Sequence, residues 1–215
     1  MFNVNLGKII GSIFISLTLL TAGVVQAQDR LPPSQRYVNY WKTPNHIKQV
    51  KRNGFDIASI PQKVVFDEAP VFSGDQMPAH GNQFINQGYI YPYGFLNEHE
   101  GVGPDGEPAY PEQVIGFWTC RGSFIAGGAH TQSGPWIEST QYYEFYMKPG
   151  FEQGKFDTRA SLVSEGYELV DTDTPFFRAI TGATGTMRDR IFGQVEQNFL
   201  GFTQAMGVNL RFRLR

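Results

Sequence analysis

Cys120 is the single cysteine of the 215-residue chain, and it stands in the run Phe117-Trp118-Thr119-Cys120-Arg121-Gly122-Ser123-Phe124. A thiol acts as a nucleophile when a nearby base or cation lowers its pKa, and of the four histidines only His130 lies near it in sequence. The pattern reads as a small buried hydrophobe, and with no second cysteine no internal disulfide can form. His80, His99 and His130 lack the close spacing of a zinc set, and Asp171-Thr172-Asp173-Thr174 reads as a turn before Pro175, so no metal site is predicted. Gly182 and Gly185 precede a strand, with no lysine at Walker spacing, and are not read as a phosphate cradle. Arg121, Glu144, Arg178 and Glu196 fall within strand patterns and are expected to face water, as strand charges usually do. Trp118, Tyr142 and Tyr146 are the candidate aromatics for lining a cavity.

The elements that must position these residues are strands. Charged residues make up 18% of the chain, aromatics 14%, and there are 24 glycines, which disfavours disorder, coiled coils and helical bundles. A net charge of -2 offers no positive field for a polyanion, so nucleic acid is not expected as a partner. From Lys63 onward short Val-, Ile-, Phe-, Tyr- and Thr-rich segments alternate with Gly, Pro and Asp. The expected strands run over 63–72, 83–95, 114–125, 140–148, 158–170, 176–182, 190–200 and 207–215, about eight in all. The last alternates most clearly, with Val208, Leu210, Phe212 and Leu214 on one face and Asn209, Arg211, Arg213 and Arg215 on the other. In the fourth, Tyr143, Phe145 and Met147 oppose Tyr142, Glu144 and Tyr146, so both faces are expected to be covered. Residues 97–113 have no periodicity and read as a long acidic loop.

Ahead of the strands lie two other segments. Lys8 followed by an apolar run and by Val25-Gln26-Ala27 before Gln28-Asp29-Arg30 reads as a secretory signal peptide over 1–27, cleaved after Ala27. The mature chain is then expected to be soluble and exported, periplasmic or secreted, without insertion into a membrane. Residues 28–62 read as a polar arm with one short helix: Thr43 as cap, Pro44 at the first helical position, a body over 45–53, and Gly54 to end it.

The runs Ser161-Leu-Val-Ser-Glu-Gly166-Tyr-Glu-Leu-Val, Phe177-Arg-Ala-Ile-Thr-Gly182-Ala-Thr-Gly185-Thr-Met, Phe192-Gly193-Gln-Val and Asn209-Leu-Arg-Phe212 resemble the allene oxide cyclase and dirigent barrel superfamily, as does Ile115-Gly116-Phe-Trp-Thr-Cys120-Arg-Gly122. Ala183 replaces the second glycine of the family's turn. The resemblance covers 63–215 and implies an all-β fold, a closed eight-stranded antiparallel β-barrel behind the arm. An interior of that size holds packed side chains or one small ligand. It also implies an apolar cavity and assembly of copies of the chain, as a trimer or dimer.

Two other barrel readings are weaker. Gly116-Phe117-Trp118 matches the Gly-x-Trp signature of lipocalins but lies far from the N-terminus, and the final Arg-Phe-Arg-Leu-Arg does not suit the lipid-facing strand of an outer-membrane barrel.

The resemblance further implies chemistry without a cofactor: intramolecular ring closure or radical steering by a dry, shaped pocket. Under it, Glu68 takes the place of the cyclases' carboxylate, since alternation puts it on one face with Val64, Phe66 and Phe72, where burial would raise its pKa. Glu68 or Arg121 would polarise the substrate, and Trp118, Cys120, Tyr142 and Tyr146 would line its site. The expected function is binding of a small apolar molecule by an exported barrel, as an isomerase of the cyclase kind or as a carrier or protein-interaction barrel without chemistry.

Overall fold

Helix α1 (Asn45–Asn53) begins at Pro44, whose fixed φ of -58° suits the entry to a helix. Its Ile47 and Val50, three residues apart on one face, are both fully buried, while Lys51 and Arg52 occupy the last turn. Gly54 ends the helix at φ 97°, and its NH donates to Val50 O at 2.9 Å. A Cβ at Gly54 would lie 1.8 Å from the carbonyl oxygen of Phe212, so both conformation and space demand glycine. The cap falls on Pro44, one residue after the position its sequence suggests.

In this computed structural model the described residues are 43–61, 63–65, 81–126, 136–151, 160–169, 171–172 and 174–215. They belong to one unit, Thr43–Arg215. The expected signal peptide over 1–27, the arm before Thr43, and Glu68, His80 and His130 lie outside them. Among the described residues no helix is long and apolar enough to cross a membrane.

The strands are β1 (Phe55–Ser59), β2 (Lys63–Val65), β3 (Gln83–Pro92), β4 (Gly116–Ala126), β5 (Trp136–Phe145), β6 (Ser161–Leu169), β7 (Phe176–Ala183), β8 (Gln194–Phe202) and β9 (Val208–Leu214). From β3 to β9 each pairs antiparallel with the next, and β1 closes the sheet by pairing with both β9 and β3. β2 continues along β3 beyond the end of β1, so the two form one interrupted stave of a closed eight-stranded barrel. The fold is the one expected, but the first stave starts at Phe55, inside what reads in sequence as arm. Five residues carrying Asp56 and Ser59 show little alternation, because the barrel and an outer loop bury both of their faces.

Close approach across the wall is managed by small residues. A Cβ on Gly122 would stand 2.2 Å from Glu138 O, so the tight coil between β4 and β5 requires its absence. The turn that the family resemblance implies around Gly182 takes a different form. Gly182 lies within β7 opposite Val163, at a register shift between β6 and β7, and Gly185 opens a 3-10 turn, Gly185–Arg190, at φ 52°.

One end of the barrel is closed and apolar. Phe55 stacks on Phe212 at 5.1 Å and meets Tyr143 and Phe145 edge-on, both at 5.3 Å, while α1 adds Ile47 and Val50 to the same core. The 3-10 turn latches onto α1 there: Lys51 pairs with Asp189 at 2.6 Å and Arg190 Nη2 donates to Lys51 O at 2.7 Å. The long loop also has a fixed place. Residues Phe95 to Val114 lie on the outer wall over Ala58, Tyr89, Tyr91 and Tyr146, with Val102 and Val114 fully buried. Asp56 ties this loop down, accepting Leu96 NH at 3.0 Å and two bonds from Arg211 at 2.8 and 2.9 Å.

Candidate functional site

Halfway along the barrel the inner face turns polar. β5 contributes Ser139, Gln141 and Tyr143, β6 Ser164 and Glu168, β7 Arg178 and β8 Gln197, all at alternate positions that register brings to one level. Glu168 is the hub. Its carboxylate accepts from Ser139 Oγ, from Gln197 Nε2 at 2.5 Å and from Gln141 Nε2 at 3.2 Å, with the Cys120 thiol at 3.9 Å. Arg178 Nη1 lies 3.6 Å from Glu168 Oε1, and its other donors reach Ser139 O at 2.6 Å, Gly166 O at 3.2 Å and Ser164 Oγ at 3.2 Å. Gln141 uses all its capacity: Oε1 accepts from Trp118 Nε1 and Tyr143 OH, and Nε2 donates to Glu168 and Gln197. Fully satisfied networks of this kind specify a core, since each unmet buried group is costly.

Above this layer, toward the end opposite α1, the barrel holds a partly open cavity of about 50 Å³. Its polar wall is Asn86, Cys120, Glu168 and Gln197, and its apolar wall includes Phe84, Trp118, Ile137, Phe199, Val208 and Leu210. Asn86 is 6% exposed, and its Oδ1 has no hydrogen-bond partner among the described residues. The larger concavity, about 700 Å³, is an open saddle on the outer wall whose charged residues Arg121, Glu138 and Glu165 are all exposed. A buried carboxylate and buried amides on a largely apolar wall make the smaller cavity the stronger candidate.

The candidates read from sequence divide by strand alternation. Trp118 and Cys120 share the inner face of β4 and both line the cavity. Arg121 and Tyr142 share the outer wall instead, where the guanidinium sits 5.5 Å from the ring centroid, so neither faces the interior. Tyr146 is buried outside the barrel, under the long loop, and burial pushes its hydroxyl up to about 12. Glu68 lies outside the described residues. Burial and the neighbouring Glu168 raise the Cys120 thiol, the opposite of what a nucleophile needs, in keeping with its reading as a buried hydrophobe. Burial likewise raises Tyr143, partly offset by Arg178.

Arg178 corrects an expectation: it points inward and is 1% exposed, because Glu168 and three oxygens across β5 and β6 replace the water it would otherwise keep. Glu196 stands on the outer wall but is likewise not left to water: it is 8% exposed, held by Arg215 at 2.6 Å. Glu168, Gln141, Gln197 and Asn86 are not singled out by residue type. Period-two spacing was the available signal, since Glu168 lies in step with Leu162 and Ser164, and Arg178 with Ile180.

No protein-family model matches the sequence, and no curated protein matches it. Among solved structures, the pterocarpan synthase dirigent protein PsPTS1 is similar, at 14% identity and a TM-score of 0.49 over 74% of this chain and 89% of that one. The pterocarpan synthase dirigent protein GePTS1 is similar at 14% identity and a TM-score of 0.47, over 74% of this chain and 85% of that one.

Proposed function

We propose that this chain is an exported barrel that binds a small, largely apolar molecule in the cavity at the end of the barrel opposite α1. The observation that carries the reading is the cavity itself, whose wall is largely apolar and carries the buried polar residues Asn86, Glu168 and Gln197. Binding without chemistry is favoured over an isomerase role. The carboxylate in reach, Glu168, is already engaged by Ser139, Gln141, Gln197 and Arg178, a set that holds the wall together. Export rests on the charge, apolar and small-residue pattern of 1–27.

Native mass spectrometry of the protein purified from the exported fraction tests both parts. The expected result is a polypeptide beginning at Gln28 with a small-molecule adduct that disappears in Leu210→Trp, which fills the cavity. An empty barrel whose melting temperature no small-molecule extract of the source cells raises would sink the binding reading. A mature chain that still carries residues 1–27 would sink the export reading.

A further inference from the structure

Charge is sorted by position around the barrel. The acids of the long loop, Glu98, Glu100, Asp105, Glu107 and Glu112, have no lysine or arginine among them, and the loop lies over β1 and β3. β7 and β8 stand across the barrel from that wall. At the α1 end, the helix and the 3-10 turn between β7 and β8 carry Lys48, Lys51, Arg52, Arg188 and Arg190 against one acid, Asp189, which Lys51 takes up. Of the strand acids toward this end, Glu196 is matched by Arg213 and Arg215, and Glu144 sits on β5, two strands from β7.

The rest of the chain does not cancel this excess. Two stretches outside the described residues join this end through the chain, and neither is acidic. Residues 28–42 hold Arg30, Arg36 and Lys42 against Asp29, and 152–159 hold Lys155 and Arg159 against Glu152 and Asp157. A chain of net charge -2 thus presents one positive face.

The tip of that face is apolar. The turn passes directly into Ile191 and Phe192, which are 38% and 91% exposed. Phe192 has φ 67°, in the left-handed region, where a bulky side chain is disfavoured and glycine or asparagine is at home. Backbone bonds fix it there: its NH donates to Ile180 O at 3.2 Å, and Ile180 NH donates to Gly193 O at 2.9 Å. Phe192 therefore carries two costs, a strained backbone and a ring in water, both of which asparagine would avoid. Strain of this kind gathers where a residue acts. Cations flanking an exposed aromatic suit a bilayer with anionic headgroups, where the ring enters the interface and the cations meet the phosphates. A soluble polyanion would use the charges and leave the ring in water.

We infer that the α1 end is a peripheral membrane-docking surface: Ile191 and Phe192 enter the interface of a bilayer rich in anionic phospholipid, and Lys48, Arg52 and Arg188 hold its phosphates. This does not depend on a ligand in the cavity.

Co-sedimentation of the mature protein, residues 28–215, with lipid vesicles tests it. Vesicles of equal parts phosphatidylcholine and phosphatidylglycerol should bind it at least ~10-fold more tightly than pure phosphatidylcholine, and about 0.5 M NaCl should remove most of that difference. Lys48→Gln combined with Arg52→Gln, both at exposed sites, should weaken binding to the anionic vesicles at least ~10-fold. Phe192→Asn should weaken it ~5-fold. The same variant should melt at the wild-type temperature or above, since asparagine suits the left-handed backbone. Absence of binding, or equal binding to the two vesicles, overturns the inference. Unchanged vesicle binding in Phe192→Asn, with heparin bound as tightly, assigns the surface to soluble polyanions and overturns the membrane. A lowered melting temperature in Phe192→Asn shows that the ring is packed by the protein itself, and overturns its role as an anchor.

Discussion

Arg178 and Glu168 meet on the inner face of the adjacent strands β7 and β6 at 3.6 Å, with side-chain exposures of 0% and 6%. Removing one partner of a buried pair leaves an uncompensated charge, at a cost of about 3–5 kcal/mol. Glu168→Gln and Arg178→Met are each expected to destabilise the fold by about that much in urea unfolding. The double variant should be less destabilised than the two losses added together, by at least about 1 kcal/mol. Strict additivity in the cycle would mean that the two residues act independently.

High pH should unfold the protein through its buried tyrosines. Burial raises Tyr146 from 10.0 to about 12, and raises Tyr89, Tyr91 and Tyr143 as well. A raised folded pKa means that the unfolded chain releases its protons first. Their stabilising effect is fully present below pH 10 and is lost as pH climbs toward 12. Melting temperature followed by circular dichroism should hold level up to pH 9 and then fall steeply, with phenolate absorbance appearing together with unfolding. Phenolate signal from every tyrosine while the fold stays intact would contradict this.

The loop tether has an asymmetric prediction. Asp56 is fully buried, whereas Arg211 keeps 16% of its side chain exposed and also donates to Asn97 at 2.8 Å. Arg211→Met strands a buried carboxylate and is expected to cost about 3 kcal/mol. Asp56→Asn leaves a cation that can turn to water, and should cost less. Hydrogen exchange over residues 95–114 should speed up in both variants, more in Arg211→Met.

Gly54→Ala should be among the most damaging conservative changes. It combines a φ of 97° with a Cβ placed 1.8 Å from Phe212 O, so either β9 moves or α1 leaves the core. A loss of at least about 2 kcal/mol in urea unfolding is expected. Ala at Gly150, whose φ is 114° but where a Cβ meets nothing within 4 Å, should cost less and isolates the conformational part.

Strand periodicity, glycine placement and the caps of α1 were legible in the chain itself, because pleat and helix geometry act over a few residues. The alternation of Val208, Leu210, Phe212 and Leu214 foretold their inward face, and Pro44 and Gly54 bounded the helix within one residue of the termini seen. Trp118 and Cys120 were picked out by residue type, as an aromatic and a small buried hydrophobe, and strand alternation separates them from the neighbouring Arg121. β1 was not legible, because Asp56 is buried on the outer wall by a loop 40 residues away, so the strand shows no contrast between its faces. Nor was the polar layer. An arginine or glutamate in a strand faces water unless partners on other strands meet all its bonds. Those of Arg178 come from Ser139, Ser164, Gly166 and Glu168, 10 to 39 residues away. Sequence alone determined which residues alternate and where the chain bends. Strand register alone decided which charges share the interior, since the contacts that hold them join side chains on different strands.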